Sequence, residues 1–277
     1  MNRMLISAAH KSSGKTLVSI GLCAALRAHG HVVQPFKKGP DYIDPMWLSQ
    51  AAGRPCRNLD LYLMDDDDVV ATFARHAAEV SLVEGNKGLY DGLSLDGSNS
   101  NAAVAKLLDL PVFLVIDARG MTRGIAPLIL GYQAFDKDIR IAGVILNKLG
   151  GSRHEAKLRQ VIEHYTEVPV VGAIQYDEHL GIIERHLGLM PSNELIAAGA
   201  KIKQIGDAIS GQVDLDRLLA LSRKPPPAPA EIAAYQKNDG AVRRSKRSVS
   251  GPAASPSGTS SRSATGNPTR SAAAAAA

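Results

Sequence analysis

Cysteine is scarce in this chain of 277 residues: only Cys23 and Cys56 are present, in no C-x-x-C or zinc-ligand spacing. That argues against a disulfide framework and leaves reduced thiols, with the cytoplasm as default compartment, as the simplest account. No stretch approaches 18 uninterrupted apolar residues, and Met1 to Met4 leads into a short apolar run rather than a signal-peptide core. Membrane and secreted readings are therefore set aside. Histidines offer no metal site either, since His154-Glu155 does not continue to H-E-x-x-H, and His179 and His186 have no ligand spacing. Positive charge is missing where a nucleic acid would need it. Of the formal net charge of +5, the stretch Arg223 to Ala277 contributes nine basic and two acidic residues, so the remainder is slightly negative.

What is present falls into two compositions. Residues 1–222 read as one globular domain, whereas from Arg223 the chain turns to a proline-rich run, the basic run Arg243 to Arg247, and a Ser/Gly/Pro/Ala tract ending in six alanines. Such a tail cannot bury a core and is expected to be disordered. Within 1–222, short apolar runs alternate with helix-length segments. Strands are predicted at 4–7, 32–36, 80–84, 112–117, 141–147 and 168–173, and helices at 15–28, 45–52, 66–77, 101–108, 125–135 and 153–166. This pattern predicts an α/β fold with a doubly wound, mainly parallel sheet, whose ligands sit outside the carboxyl ends of the strands.

The first of those ends is the most telling. Ser7 to Thr16 contains Gly14-Lys15-Thr16 between a strand and a helix, where backbone N–H groups, a helix N-terminus, one ammonium and one hydroxyl surround a polyphosphate. Ala9 stands where G-x-x-x-x-G-K-[ST] has its first glycine. Lys11, Ser12, Ser13, Gly14, Lys15 and Thr16 are the expected ATP contacts, and the Thr16 hydroxyl suits Mg²⁺ but cannot hold it alone. Asp41 and Glu84, each ending a neighbouring strand, are placed to supply carboxylates; turn punctuation for Asp41 and a helix cap for Glu84 are the plainer alternatives. Lys37 and Lys38 bring cations to the same edge. Tyr90-Asp91-Gly92 is either a tight turn or a site loop. Asn147 reads either a nucleotide base or caps its own strand end.

Taken together, Phe36 to Pro45, Asn58-Leu59-Asp60, Glu84-Gly85 with Gly88 to Gly92, and Arg185 to Leu189 resemble the cobyrinic acid a,c-diamide synthase family over residues 3 to about 222. The resemblance implies a P-loop NTPase-like, dethiobiotin-synthetase-like domain that phosphorylates a tetrapyrrole carboxylate so that ammonia can form the amide. Carried over by motif, Lys15, Asp41, Asp44, Glu84 and Asp91 would be catalytic, and Thr16, Asp41 and Glu84 would hold Mg²⁺. Lys38, Tyr42, Tyr90, Arg185 and His186 would meet the polycarboxylated substrate. Cys23 and Cys56 lack the context of the family's glutaminase nucleophile, so ammonia is expected free or from a separate glutaminase subunit, with truncation an open account of the tail. Asn86-Lys87 and His10 to Ser13 resemble the branch thought to amidate sirohaem. A ParA/MinD-like switch ATPase is the alternative from another class, and assembly as a homodimer is expected.

Overall fold

The computed structural model describes residues 1–182, 184–185, 188–192 and 197–225, the side chains of 184, 185, 188 and 189 excepted. In its first strand, β1 (Asn2–Ala8), every residue from Met4 onward is buried, because helices cover both faces. Six more strands run parallel to it: β2 (Val33–Lys38), β3 (Arg57–Leu59), β4 (Val80–Glu84), β5 (Val112–Asp117), β6 (Ile141–Leu149) and β7 (Val170–Gln175). Their spatial order is β3-β2-β4-β1-β5-β6-β7. The chain winds to one side of β1 through β4, β2 and β3, and to the other through β5, β6 and β7. The switch point therefore falls at the end of β1, where the phosphate loop begins. A two-residue hairpin, β8 (Glu184–Arg185) with β9 (Gly188–Leu189), lies outside this sheet.

Alternation along the strands builds two cores. Met4 and Ile6 face α1 (Lys15–Ala28), α2 (Ile43–Ala52), α7 (Ala198–Ser210) and α8 (Leu215–Ser222). Leu5 faces the opposite layer, made by α3 (Asp66–His76), α4 (Asn101–Leu107), α5 (Ile125–Phe135) and α6 (Ser152–Tyr165). This is the doubly wound parallel α/β architecture expected from the sequence. Every expected strand and helix is present within about two residues of its expected bounds.

Besides the β8–β9 hairpin and a short 3-10 turn at Glu178–Leu180, three elements of the main layers were not expected. β3 is only three residues long, and Arg57 and Asn58 break its apolar pattern. α7 and α8 follow the Arg185 region and close the first layer. Arg223 and Lys224, which the composition assigns to the tail, are tied to β1: Arg223 bridges Asn2, Lys224 donates its backbone N–H to the Met1 carbonyl at 3.0 Å, and its ammonium reaches Asp109 at 2.7 Å. Residues 226–277, which hold the basic run, lie outside the described residues.

Glycine decides how close α7 comes to α1. A Cβ on Gly21 would stand 2.2 Å from Cγ1 and 3.0 Å from Cβ of Ile209, and one on Gly206 would stand 2.8 Å from the Ala24 Cβ. In an exposed helix Gly→Ala gains about 1 kcal/mol from propensity. Here overpacking, at about 1–3 kcal/mol, opposes it and wins. Gly21→Ala is expected to lower the urea midpoint, followed by fluorescence of the single, buried Trp47; a raised midpoint would contradict this packing.

Candidate nucleotide and carboxylate-activation site

The phosphate loop ends at Gly14, whose φ of +88° is left-handed, and α1 then begins at Lys15 with no side-chain cap. The first N–H groups of α1 are thus left for a ligand, and an anion is what they suit. Two side chains hold the loop from beneath. Asn147, buried at the end of β6, donates its amide to the Ser13 carbonyl at 2.8 Å, and Lys148 donates to the Ser12 carbonyl at 2.7 Å. A Cβ on Gly14 would lie 2.1 Å from the Asn147 amide nitrogen, so only glycine admits this support. Asn147 thus supports the loop with one of its two amide hydrogens. Ser13 is buried and donates to the His10 carbonyl at 2.8 Å, while Lys11 is exposed. Asp117, ending β5, accepts from Arg119 at 2.7 Å and from Lys148 at 3.1 Å. Burial alone would raise its carboxyl, but these donors hold it down to about 2.

Beside the loop, five charged groups converge. In the register of the sheet Lys37 stands opposite Glu84, and Glu84 opposite Ile6, so both side chains emerge on the α1 face. Glu84 has no exposed surface. Its Oε1 accepts from Thr16 Oγ1 at 2.7 Å and Lys15 Nζ at 3.0 Å, and lies 3.3 Å from Lys37 Nζ. Its Oε2 is buried without any partner. Lys37 Nζ donates to Asp44 Oδ2 at 2.5 Å and lies 3.7 Å from Asp41 Oδ2.

The electrostatics follow from this sharing. Burial alone would push Glu84 up, yet the Lys15 and Lys37 ammonium groups, helped by the Thr16 hydroxyl, hold it below the usual carboxylate range. Burial alone would depress Lys37, but Glu84 and then Asp44 outweigh it and keep the ammonium charged. Asp44 is pushed up by its burial and by the Glu84 charge, against the pull of Lys37. Three carboxylates against two ammonium groups leave one negative charge in excess. That excess, with the orphaned Glu84 Oε2 and the Thr16 hydroxyl, suits a hard divalent cation. Among the described residues no group of three or more His, Cys, Asp or Glu side chains converges tightly enough to hold a metal by itself.

The remaining expected residues divide. Asp41 Oδ1 accepts from the backbone N–H groups of Ile43 and Asp44 at 3.0 and 3.2 Å, turning the chain into α2, while Oδ2 faces Lys37. Asp91 lies at the surface and accepts from the Gly88 N–H at 2.8 Å. Tyr90 is half-buried: its hydroxyl donates to the Tyr132 carbonyl at 2.6 Å and its ring packs on Phe135, with centroids 4.7 Å apart. Tyr42 is exposed and Lys38 half-buried. Arg185 lies in the small hairpin, its side chain not described, and His186 lies outside the described residues. Neither cysteine is poised as a nucleophile, since burial, joined by the charge of Glu84, pushes both thiols up.

One organising residue escaped the sequence reading. Asn101, buried at the first position of α4, accepts from the Asn86 N–H at 2.9 Å and donates to the carbonyls of Asn86 and of Gly88, the latter at 2.7 Å. It thereby fixes the loop after β4 from both sides. An asparagine opening a helix reads as ordinary punctuation, so only the fold discloses its reach.

Comparison with known proteins agrees with the resemblance read from the motifs. A family profile described as an AAA domain matches residues 2–183. Cobyrinate a,c-diamide synthase of Magnetococcus marinus is 50% identical over 222 residues, which cover 79% of this chain and 48% of that protein. The protein of the same name from Methanosarcina acetivorans is 46% identical over 233 residues, 79% of this chain and 47% of that one. Hydrogenobyrinate a,c-diamide synthase of Thermobifida fusca is 43% identical over 241 residues, 84% and 50% respectively. The chain thus spans about half the length of the curated relatives it matches. Among solved structures, a MinD cell division protein from Aquifex aeolicus is 13% identical, with a TM-score of 0.49 over 81% of this chain and 99% of that one.

Removing the Asn101 amide strands a buried N–H and two carbonyls. Asn101→Ala is expected to cost about 1–3 kcal/mol, read as a lowered urea midpoint. Faster amide exchange around Asn86 to Gly88 should accompany it, and unchanged exchange there would show that the loop is held by something else.

Proposed function

The chain belongs to the AAA-domain family over residues 2–183, and on that premise we propose that it binds ATP with Mg²⁺ and activates a carboxylate of a polycarboxylated tetrapyrrole for amidation. The observation that carries this reading is the joining of a phosphate loop to a buried Lys15–Glu84–Lys37–Asp44 array, in a chain half identical to a cobyrinate a,c-diamide synthase along the matched residues. A binding loop alone would need no such array. Carboxylate oxygen is a poor leaving group, and ATP with Mg²⁺ supplies the phosphoryl group that turns it into a good one. The carboxylate oxygen takes the terminal phosphoryl group as ADP leaves; ammonia then adds to the acyl carbon, loses a proton, and phosphate departs as the amide forms.

In this reading the protein positions charge rather than forming bonds. The Lys15 ammonium and the free N–H groups of α1 face the phosphates. Thr16 and Glu84, whose Oε2 lacks a partner, are the side chains that would hold Mg²⁺, with Asp41, whose Oδ2 lies 3.7 Å from Lys37 Nζ, as a further carboxylate. Lys37, fixed by Asp44 and Glu84, offsets the negative charge that gathers where phosphate meets carboxylate. The raised thiols of Cys23 and Cys56 make neither a glutamine-hydrolysing nucleophile, so ammonia would come from a glutaminase domain or subunit beyond these residues.

The test supplies the protein with ATP, Mg²⁺ and ammonium chloride and offers cobyrinic acid and sirohaem in separate reactions, following amide formation by mass and ADP release. Amidated cobyrinic acid is the expected product; ADP release without amide from either pigment would overturn the substrate assignment. Glu84→Gln removes the charge shared by Lys15 and Lys37 and is expected to lower kcat by about 100-fold or more while leaving the fold intact by circular dichroism. Undiminished turnover in that variant would sink the role given to Glu84.

A further inference from the structure

Four non-glycine residues among those described have a left-handed backbone: Ser12, Lys87, Asp109 and Lys148. Asp109 lies at the far end of the sheet. Ser12 and Lys148 are explained by the phosphate loop they build. Lys87, at φ +39°, has no such account, since its side chain is exposed and makes no hydrogen bond or ion pair among the described residues. A lysine in this region costs energy that glycine would avoid, and such strain persists only where the surroundings enforce it. They do so here. Asn101 grips the Asn86 N–H and the Asn86 and Gly88 carbonyls, and Asp91 accepts from the Gly88 N–H. The Asn86 amide in turn lies where a Cβ on Gly39 would come within 2.5 Å, so the loop after β4 rests on the turn after β2.

That contact packs the loop carrying Lys87 against the turn that follows Lys38. Lys38 is half-buried, and its ammonium makes no ion pair or hydrogen bond among the described residues. Burial depresses its ammonium, and the charges of Lys37 and Lys87 depress it further, against an opposing pull from Asp60. Asp60 is buried, and its Oδ1 accepts from the Tyr62 N–H at 3.0 Å. The contrast with Lys15 and Lys37 lies in the closeness of the pairing: Lys15 is hydrogen-bonded to Glu84 and Lys37 is shared among Glu84, Asp44 and Asp41, whereas Lys38 feels the Asp60 carboxylate only from beyond ion-pair distance and Lys87 makes no ion pair among the described residues.

We propose that Lys38 and Lys87 form a clamp for a carboxylate of the substrate other than the one being activated, so that a molecule with several acid arms is held by one arm while another reaches Asp44 and Glu84. The clamp rests on the tetrapyrrole reading for the identity of its natural ligand, but not for its chemistry, which is recognition of a polycarboxylate. It explains why a strained position carries a long cation rather than glycine.

The experiment measures binding calorimetrically for wild type, Lys87→Ala and Lys87→Gly, with cobyrinic acid and with mellitic acid as a rigid polycarboxylate probe, and separately with ATP. Both variants are expected to bind the acids about tenfold or more weakly while ATP affinity is unchanged, and Lys87→Arg is expected to restore the affinity. Lys87→Gly relieves the backbone strain, so its failure to bind cannot be laid to misfolding. Wild-type affinity for cobyrinic acid in both variants would overturn the clamp and leave the proposed function standing. Lys87-dependent binding of mellitic acid without binding of cobyrinic acid would uphold the clamp and overturn the tetrapyrrole. Binding of neither acid by wild type would overturn both.

Discussion

A carboxylate with no exposed surface, set next to the central strand of a parallel sheet, is costly unless cations face it. Glu84 is that group, and much of the site is arranged around meeting its cost. The register of β2 against β4 places Lys37 beside it. The helix that follows the phosphate loop delivers Lys15 and Thr16 from above. α2, turned by Asp41, delivers Asp44 to the far side of Lys37. Each partner satisfies its neighbour, so removing one leaves another buried and uncompensated. The arrangement is also incomplete by one atom, Glu84 Oε2, and by one unit of charge. An array built for stability alone would close both gaps.

The same logic explains what was readable in the sequence. β4 and β5 were legible to the residue because strands covered on both faces are continuous apolar runs that stop where chemistry starts, at Glu84 and Asp117. α1 was legible because Gly14 and Lys15 mark its start. β3 was not, because an edge strand of three residues led by Arg57 and Asn58 has no period to detect. Asp41 and Glu84 could be named from their places at strand ends, but the sharing of Lys37 among three carboxylates depends on register, which the sequence does not spell out. Asn147 and Tyr90 have structural partners that were illegible for a related reason. Their residue types suit a ligand, and only the fold shows that one Asn147 N–H goes to the Ser13 carbonyl and the Tyr90 hydroxyl to the Tyr132 carbonyl.

Two buried asparagines, Asn101 and Asn147, illustrate a division of labour across the sheet edge. An amide donates and accepts at once without carrying charge, so it can hold a loop from beneath at little electrostatic cost. Asn101 holds the loop after β4, and Asn147 holds the phosphate loop. Charged neighbours add to this support, Lys148 at the Ser12 carbonyl and Asp91 at the Gly88 N–H, but the buried contacts are made by the amides.

At this sheet edge charge is graded by depth. Lys37 and Glu84, fully buried, are neutralised within the protein. The ammonium groups of Lys38, half-buried, and Lys87, exposed, make no ion pair among the described residues, though the Asp60 charge reaches Lys38. Burying an unpaired ammonium would cost more than the fold can offset, whereas an exposed one is hydrated at little cost until a ligand replaces the water. Unpaired charge at this depth, next to paired charge beneath it, is what a surface that exchanges anions requires, and the rigid amide underlay is what keeps it in place between exchanges.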